Sequence, residues 1–341
     1  KGFHNSDSIT VKLNASAAIT SSFTTSDISV TNGSVSNLIN LDDTTDVSWQ
    51  FTLTSSTAGE ETIATIESNT LQNNLNNNLA SSFSWTYDNV KPTISISAEK
   101  LDGTALTSGV FNNSDLIKLI INGSEDISLT QSDISVNNGS LSNFKRVDTT
   151  TYSTHLHPSS VGEVNAFVLE NSIFDIANNS NDASSNKFIW NYDNIAPTLT
   201  ITSNDVSDNG NIDNSYVNLT ITSNEPITGL QASSFTLKNC VVSTLTGSNG
   251  DSSYNLLINT SDWTSNQNAT IQIAANQVTD RANNQNSSAS NTFRVRFNKQ
   301  VIRKKDNYAL KELFDDDGDI SSADVPNETV INTIISTSVD N

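Results

Sequence analysis

The stretch "WTYDNVKPTIS" at Trp85–Ser95 returns as "WNYDNIAPTLT" at Trp190–Thr200, 105 residues later. Both copies run from a tryptophan through an Asp-Asn pair to a proline, and then into alternating apolar and polar residues. Proline lacks an N–H and holds the residue before it in an extended conformation, so each copy predicts a strand, a short stiff joint and a second strand. The stretch therefore marks the end of one structural unit and the beginning of the next.

Other segments return with a similar spacing. "SDISVTNGSVSNL" from Ser26 recurs as "SDISVNNGSLSNF" from Ser132, and more weakly as "SSFTLKNCVVSTL" from Ser233. "DIANNSND" from Asp175 recurs as "DRANNQNS" from Asp280. A fixed period of about one hundred residues indicates tandem repeats, and three copies fit the chain.

Short runs of alternating apolar and polar residues fill each copy. In "LIKLIING" the apolar set is Ile117, Leu119 and Ile121, and in "WQFTLT" the set begins at Trp49. A period of two predicts half-buried strands, and the Asn-Gly and Asn-Asn pairs between the runs predict turns. About seven short strands per hundred residues predict an all-β chain of immunoglobulin-like Greek-key sandwiches in tandem.

The predicted domains span residues 1–90, 91–195 and 196–298, and a short tail follows at 299–341. Residues 3–9 align with residues 111–117, so the first copy lacks the strand that follows the proline in the other two. Because the chain also contains no methionine, we expect it to be part of a longer protein. The tail segment "DNYALKELF" predicts the one helix of the chain, with Asp306 as its N-cap.

Composition excludes several classes of function. The 341 residues contain 37 acidic and 17 basic side chains, and the net charge of −20 would repel nucleic acid and anionic lipid. No run reaches the ~18 apolar residues of a membrane helix. Cys240 is the single cysteine, and it aligns with a turn glycine rather than with a nucleophile. No catalytic motif occurs, so we expect a protein that is not an enzyme.

The combined pattern "SDISVTNGSVSNL … D-x-A-N-N … W-x-Y-D-N-x-x-P-T" resembles the bacterial Ig-like repeats of large surface proteins and adhesins, over roughly residues 1–298. This resemblance implies tandem β-sandwiches, extracellular display and no enzymatic activity. Calcium is often used between the repeats of similar proteins. "YDNVKP" also resembles the joint of cadherins, although its spacing differs by one residue and its acidic cluster is thinner.

Acidic residues recur where they would meet the joint. In an Ig-like sandwich, the loops after the second strand and before the last strand lie at the end where the chain enters. Carboxylate, amide and carbonyl oxygens at this end suit Ca²⁺. The alternative is that the Asp-Asn pair caps a turn ahead of the proline. The calcium hypothesis predicts two sites, with the ligands Asp88, Asn89, Glu125 and Asp175 in one and Asp193, Asn194, Glu225 and Asp280 in the other.

The first copy and the tail depart from this pattern. Ala17 stands at the position of Glu125, and Gln72 at the position of Asp175, so both acidic groups are absent from the first copy together. In the tail, "DDDGDISSAD" resembles an EF-hand or dockerin calcium loop with Asp315, Asp317 and Asp324 as ligands. The first loop position would be Leu313, which has no ligand atom in its side chain, and the alternative is a solvated acidic turn.

These features predict a structural or adhesive rod of an extracellular surface protein, and the calcium hypothesis predicts that the ion stiffens its joints. Its partners would be proteins or glycans at a surface, or copies of itself in an assembly, and not nucleic acid. Three alternatives remain open. The chain could be a structural or decoration component of a virus particle or surface filament, an adhesion module that itself binds glycan or protein, or an ancillary module of an extracellular hydrolase.

Overall fold

The computed structural model describes residues 2–19, 23–42, 44–68, 80–212, 215–260 and 267–297. Within these ranges the chain forms β-strands and three short 3₁₀ segments, at Thr25–Asp27, Gln131–Asp133 and Ala232–Ser234. The described residues include no helix long and apolar enough to cross a membrane. The predicted helix at 306–314 and the acidic loop of the tail lie outside the described residues.

The strands fall into three sets, which we call the first, second and third sandwich. The first contains β1 (Phe3–His4), β2 (Ser8–Asn14), β3 (Ser29–Thr31), β4 (Gly33–Asn40), β5 (Ser48–Ser55), β6 (Glu61–Ile66) and β7 (Ser81–Tyr87). The second contains β8 (Ile94–Glu99), β9 (Ala105–Leu106), β10 (Phe111–Asn112), β11 (Ile117–Gly123), β12 (Ile127–Ser128), β13 (Ile134–Asn137), β14 (Gly139–Arg146), β15 (Thr151–Pro158), β16 (Gly162–Val168), β17 (Phe174–Asp175) and β18 (Phe188–Tyr192). The third contains β19 (Leu199–Thr202), β20 (Gly210–Ile212), β21 (Tyr216–Ile227), β22 (Phe235–Lys238), β23 (Val241–Thr246), β24 (Asp251–Asn259), β25 (Gln267–Ile273) and β26 (Phe293–Phe297).

Each sandwich consists of two facing sheets with the same strand order. In the second sandwich the orders are β14-β15-β11-β8-β9 and β10-β18-β16-β13, and β12 pairs with β17. The third sandwich repeats them as β23-β24-β21-β19 and β20-β26-β25-β22, and the first as β4-β5-β2 and β1-β7-β6-β3. This is the Greek-key arrangement of immunoglobulin domains, so the predicted all-β Ig-like fold is confirmed.

Alternating side chains build the cores as the sequence predicts. Ile117, Leu119 and Ile121 of β11 are fully buried at 0% exposure, and Trp190 on β18 is 2% exposed. Burying one such aliphatic side chain contributes about 1.5–3 kcal/mol to folding. Each sandwich has its own cluster of buried apolar residues, and these clusters hold the paired sheets together.

The recurring "SDIS" motif forms a capped 3₁₀ turn directly before β3 in the first sandwich and before β13 in the second. Asp27 Oδ2 accepts a hydrogen bond of 2.8 Å from the backbone N–H of Thr24, and Asp133 Oδ2 accepts one of 2.7 Å from that of Thr130. These bonds satisfy donors at the start of a 3₁₀ turn. The motif therefore recurs because it makes a structural turn.

Two compact units contain the described residues. The first holds residues 1–196 together with Arg281–Asn284, and the second begins at Pro197. The first unit thus includes the first and second sandwiches, and the second unit includes the strands of the third. The domain boundaries predicted at residues 90 and 195 remain predictions.

Candidate metal centre

The segment between β7 and β8, residues 88–93, is the linker between the first and second sandwiches. Its first residue, Asp88, donates its backbone N–H to the carbonyl of His4 over 3.0 Å. Asp88 Oδ1 accepts the N–H of Val90, also over 3.0 Å. The turn cap that we weighed as the alternative to calcium is therefore present, and it uses one of the two carboxylate oxygens of Asp88.

The far end of the linker is tied to the loop that follows β11. Thr93 donates its backbone N–H to Ser124 Oγ over 2.9 Å, and Ser124 donates its own N–H to the carbonyl of Thr93 over 2.9 Å. Glu125 is the next residue along this loop. The paired hydrogen bonds hold its backbone beside the linker.

Asp175 approaches the linker from the loop before β18. It lies on β17, opposite Ile127, and is only 7% exposed. Asn179 donates its backbone N–H to Asp175 Oδ1 over 2.7 Å and its side-chain Nδ2 to Asp175 Oδ2 over 2.8 Å. Asn178 adopts φ 71°, a conformation that asparagine tolerates, and this reverses the chain so that Asn179 faces Asp175.

Asn179 also connects this loop to the linker. Its Nδ2 donates a second hydrogen bond, of 2.9 Å, to the carbonyl oxygen of Asp88. The side chain thus binds Asp175 and Asp88 at once and holds the loop against the linker. Asn179 was not among the residues predicted for this site, although it is the last asparagine of the repeated D-x-A-N-N motif.

These elements bring three carboxylates together. One oxygen from each of Asp88, Glu125 and Asp175 lies within 4.8 Å of the other two. Two unit charges at that separation repel by about 3 kcal/mol at an effective dielectric constant of about 20. Burial, and then the neighbouring charges of Asp175 and Asp88, raise the pKa of Glu125 above its ordinary 4.5.

Glu125 has one oxygen that no donor in the described ranges reaches. Its Oε1 atom is buried and has no hydrogen-bond partner among the described residues. A buried acceptor without a donor costs about 1–3 kcal/mol, and more when it is charged. A bound cation would satisfy this oxygen and offset the repulsion between the three carboxylates.

The arrangement suits a hard cation with oxygen ligands. Calcium takes ligands at about 2.3–2.6 Å, so two oxygens that share one ion lie no more than about 5 Å apart. The carboxylate oxygens meet this condition. The oxygens of Asp175 that accept from Asn179 keep further lone pairs for a metal.

The remaining predicted ligand of the first site is Asn89. It follows Asp88 in the linker and is exposed to solvent. In the first sandwich, Ala17 stands where Glu125 stands in the second, and it is half-buried. Gln72, the counterpart of Asp175, lies outside the described residues. The tail ligands Asp315, Asp317 and Asp324 lie outside them as well.

The predicted ligands of the second site are divided between the two compact units. Asp193 belongs to the first unit, where Asn284 Nδ2 donates to its carbonyl over 2.8 Å and Ile195 N–H donates to its Oδ1 over 3.0 Å. Glu225 lies on β21 and Asp280 is 3% exposed, both in the second unit. Asn194 is exposed. This site remains a prediction from the repeat.

Cys240 is not a reactive thiol. It is half-buried, and burial raises its pKa to about 11. The thiolate is the nucleophilic form, so a pKa this high keeps the side chain in its inert protonated form at neutral pH. This agrees with the interpretation of Cys240 as a substituted turn residue.

Comparison with known proteins identifies the class. Residues 193–297 match the bacterial Ig-like domain family, so the predicted resemblance is confirmed for this part of the chain. No curated protein sequence gives a significant match.

Several solved structures resemble the chain at low similarity. The I9–I11 tandem of titin covers 87% of this chain and 94% of its own at 8% identity, with a TM-score of 0.23. The Yersinia pseudotuberculosis adhesin InvE covers 61% and 59% at 11% identity, with a TM-score of 0.24. The S-layer protein rSbsC(31–844) covers 86% of this chain and 53% of its own at 10% identity, with a TM-score of 0.21. The Ig-like class therefore rests on the family match and on the sheets described above.

Proposed function

We propose that the chain is a non-enzymatic structural spacer of a bacterial surface protein, and that calcium stiffens the linker between its first and second sandwiches. The observation that carries this proposal is the convergence of Asp88, Glu125 and Asp175 on the linker, with one oxygen of Glu125 buried and without a hydrogen-bond partner among the described residues. Tandem sandwiches and the match to a bacterial Ig-like family support the spacer role.

The linker is well suited to hold two sandwiches in a fixed relation. Its backbone is tied to the first sandwich at His4 and to the second at Ser124 and Asn179. Pro92 is buried within it and restricts the residue before it to extended conformations. Each hydrogen bond contributes about 0.5–1.5 kcal/mol net, so the bonds alone hold the linker only moderately. A cation bound by all three carboxylates would add a stronger connection.

Calcium fits the proposed role better than magnesium. Calcium accepts six to eight oxygen ligands in flexible geometry, and carboxylates bind it through one or both oxygens. Three carboxylates therefore supply at least three of these oxygens. Magnesium requires a near-ideal octahedron at about 2.0–2.1 Å and retains several waters, which a cluster fixed by hydrogen bonds accommodates less readily.

Calcium also suits a protein displayed outside the cell. Extracellular modules bind calcium with dissociation constants of roughly 10⁻⁴–10⁻³ M, so a cluster of three carboxylates is sufficient there. The net charge of −20 favours a soluble surface that attracts divalent cations. We infer display outside the cell, with protein or glycan partners, or with copies of the same chain.

The other roles remain alternatives. An adhesive module would bind a glycan or protein directly, and a glycan array would reveal such binding. A component of a virus particle or surface filament would form a regular assembly visible by microscopy. An ancillary module of a hydrolase would flank a catalytic domain in the same reading frame. The three carboxylates lie at the linker between two sandwiches, where a spacer needs stiffness, and this position favours the spacer.

The test is thermal unfolding of the full chain in calcium and in chelator. A ligand at about 100 times its dissociation constant stabilises the folded state by about 2.7 kcal/mol, which corresponds to a rise of roughly 5–10 °C for a unit of this size. We expect wild-type protein to show this rise and Glu125→Gln to lose most of it. Glu170→Gln removes an exposed acidic group of the same sandwich and should keep it.

An unchanged melting temperature in calcium, with Glu125→Gln and wild type alike, would rule out the calcium-stiffened linker. An equal loss of the calcium effect in Glu170→Gln would show that calcium acts through general charge screening and not through this cluster.

A further inference from the structure

One sheet of the third sandwich carries only positive charges. Its strands β20, β26, β25 and β22 contain no acidic residue, and their basic residues are Lys238 on β22 and Arg294 and Arg296 on β26. All three side chains are exposed and lie on the outer face, because the alternate residues of both strands pack in the core. Within the part of the chain that the structure describes, none of them forms an ion pair with a carboxylate. This face therefore differs in sign from a chain whose net charge is −20.

The register of the strands brings the three cations close together. Arg294 lies opposite Thr270 on β25, and Lys238 lies opposite the same threonine from the other side. Neighbouring strands are about 4.8 Å apart, so the backbones of Arg294 and Lys238 are about 10 Å apart. Arg296 is two residues further along β26, at about 7 Å from Arg294. The three residues form one patch, which we call the basic patch.

The other two sandwiches have different charges on the equivalent sheets. At the positions of the three cations they have uncharged residues, which are Asn137, Ile189 and Asn191 in the second sandwich and Thr31, Ser84 and Thr86 in the first. At the position of Asn268, which lies opposite Arg296, both have a glutamate. These glutamates are Glu163 in the second sandwich and Glu61 in the first. Since the same sheet forms with the opposite charge, the fold does not require the basic patch.

The other outward side chains of this sheet are polar. They are Asn211, Thr236, Asn268, Thr270 and Gln272, and none of the outward residues is aliphatic or aromatic. Protein interfaces take most of their affinity from a few large side chains, often aromatic, in desolvated pockets. A face of hydroxyls, amides and cations instead suits a ligand that is itself hydroxylated and negatively charged. This composition favours an acidic saccharide over a protein partner.

The spacing of the cations favours a polymer of low charge density. Duplex DNA carries one charge per ~1.7 Å of its axis, so most of its phosphates would extend beyond the patch and face the acidic remainder of the chain. Single strands bind by stacking their bases on aromatic side chains, and this face presents none. A polysaccharide with at most one carboxylate per sugar places only a few charges over the patch. Acidic groups farther away than about 8 Å are largely screened at physiological salt.

We propose that the basic patch binds a polysaccharide that carries carboxylates, such as a polymer of uronic acids. The planar guanidinium groups of Arg294 and Arg296 match the two oxygens of a carboxylate, and Lys238 binds a further carboxylate as a point charge. Asn268 and Thr270 lie between the cations and bind sugar hydroxyls. Asp208 borders the patch, where its Oδ1 already accepts the backbone N–H of Arg294 over 2.7 Å. This binding role goes beyond the spacer and does not require calcium.

The test is a titration of a fluorescein-labelled oligomer of galacturonic acid with the full chain in chelator, followed by fluorescence anisotropy. We expect saturable binding to wild type and none to labelled neutral dextran. Arg294→Gln combined with Arg296→Gln should weaken binding about tenfold, because two charge-assisted contacts are lost. Lys12→Gln combined with Lys145→Gln removes the same charge from exposed positions of the first and second sandwiches, and it should bind as wild type does.

A further variant tests the patch without removing a cation. Asn268→Glu restores the glutamate of the other sandwiches opposite Arg296, and it should weaken binding about as much as the double arginine variant. The proposal is wrong if the oligomer fails to saturate wild type, or if the lysine variant loses as much affinity as the arginine variant. It is also wrong if heparin or poly-glutamate binds more tightly than the uronate, since a sulfated glycan or an acidic peptide is then the partner. All titrations are made in chelator, so their outcome is independent of the calcium-stiffened linker.

Discussion

The leading ends of the first and second sandwiches, where the chain enters each, are built from the same repeat. Their cores are alike, but the residues around the chain entry differ. At the second, β8 covers the sheet edge and Glu125 and Asp175 approach the linker. At the first, Ala17 stands at the position of the glutamate. Both cores nevertheless bury their tryptophan, Trp85 at 2% and Trp190 at 2% exposure. The first core therefore forms without an acidic group at the position of Glu125.

The largest change should follow removal of the Asn179 side chain. Asn179→Ala keeps the backbone N–H that binds Asp175 Oδ1, but it removes the side-chain donor to Asp175 Oδ2 and breaks the bond to the Asp88 carbonyl. The expected loss is about 2–4 kcal/mol in the free energy of unfolding, measured by urea denaturation in chelator. Asn137→Ala, at an exposed position of β13, is the control and should change it by less than about 0.5 kcal/mol. Equal effects would mean that Asn179 does not hold the linker.

A smaller effect should appear in the pH dependence. The pKa of Glu125 is raised above 4.5, so its protonation favours the folded state. In chelator this contribution is complete below the unfolded pKa and is lost as the pH rises through the raised folded pKa. Calcium binding requires the ionised carboxylate of Glu125, so its affinity should rise as the pH rises. Its affinity should weaken about tenfold per pH unit below the folded pKa of Glu125.

Calorimetric titrations at several pH values would measure this dependence. Glu125→Gln should remove the steep part of the profile, and Glu170→Gln should leave it in place. A calcium affinity that does not change across the range in wild type would contradict a role for the Glu125 carboxylate as a ligand.

The smallest effect is expected when the missing glutamate is restored to the first sandwich. Ala17→Glu places one acidic group where the second sandwich has three, and a single carboxylate is a weak calcium ligand. Neither the number of bound calcium ions nor the melting temperature in calcium should change measurably. Gain of an extra ion would show that one glutamate is sufficient, and the contrast between the two leading ends would then lose its meaning.

Much of the fold follows from periodicity in the sequence. The alternation around Leu119 predicts which side chains enter the core, and the spacing of Trp85 and Trp190 predicts where one sandwich ends. These features can be read locally because a strand places successive side chains on opposite faces. The repeat also indicates which acidic residues recur together.

The rest depends on contacts between residues distant in the sequence. Asn179 and Asp88 are 91 residues apart, and Asn186 and Ile96 are 90 apart, and no local pattern distinguishes these asparagines from many others in an Asn-rich chain. Asp88 serves as a turn cap while its carboxylate also lies near Glu125, so the turn cap is compatible with the predicted calcium site.

Cation binding at the linker is tested most directly by a calcium titration of the full chain that follows the backbone amide signals in nuclear magnetic resonance. We expect calcium to shift the signals of residues 88–90, 124–125 and 175–179 together, with one saturation curve, and Glu125→Gln to abolish these shifts. Calcium that leaves these three segments unchanged, or that shifts them equally in Glu125→Gln, would contradict a cation bound at the linker.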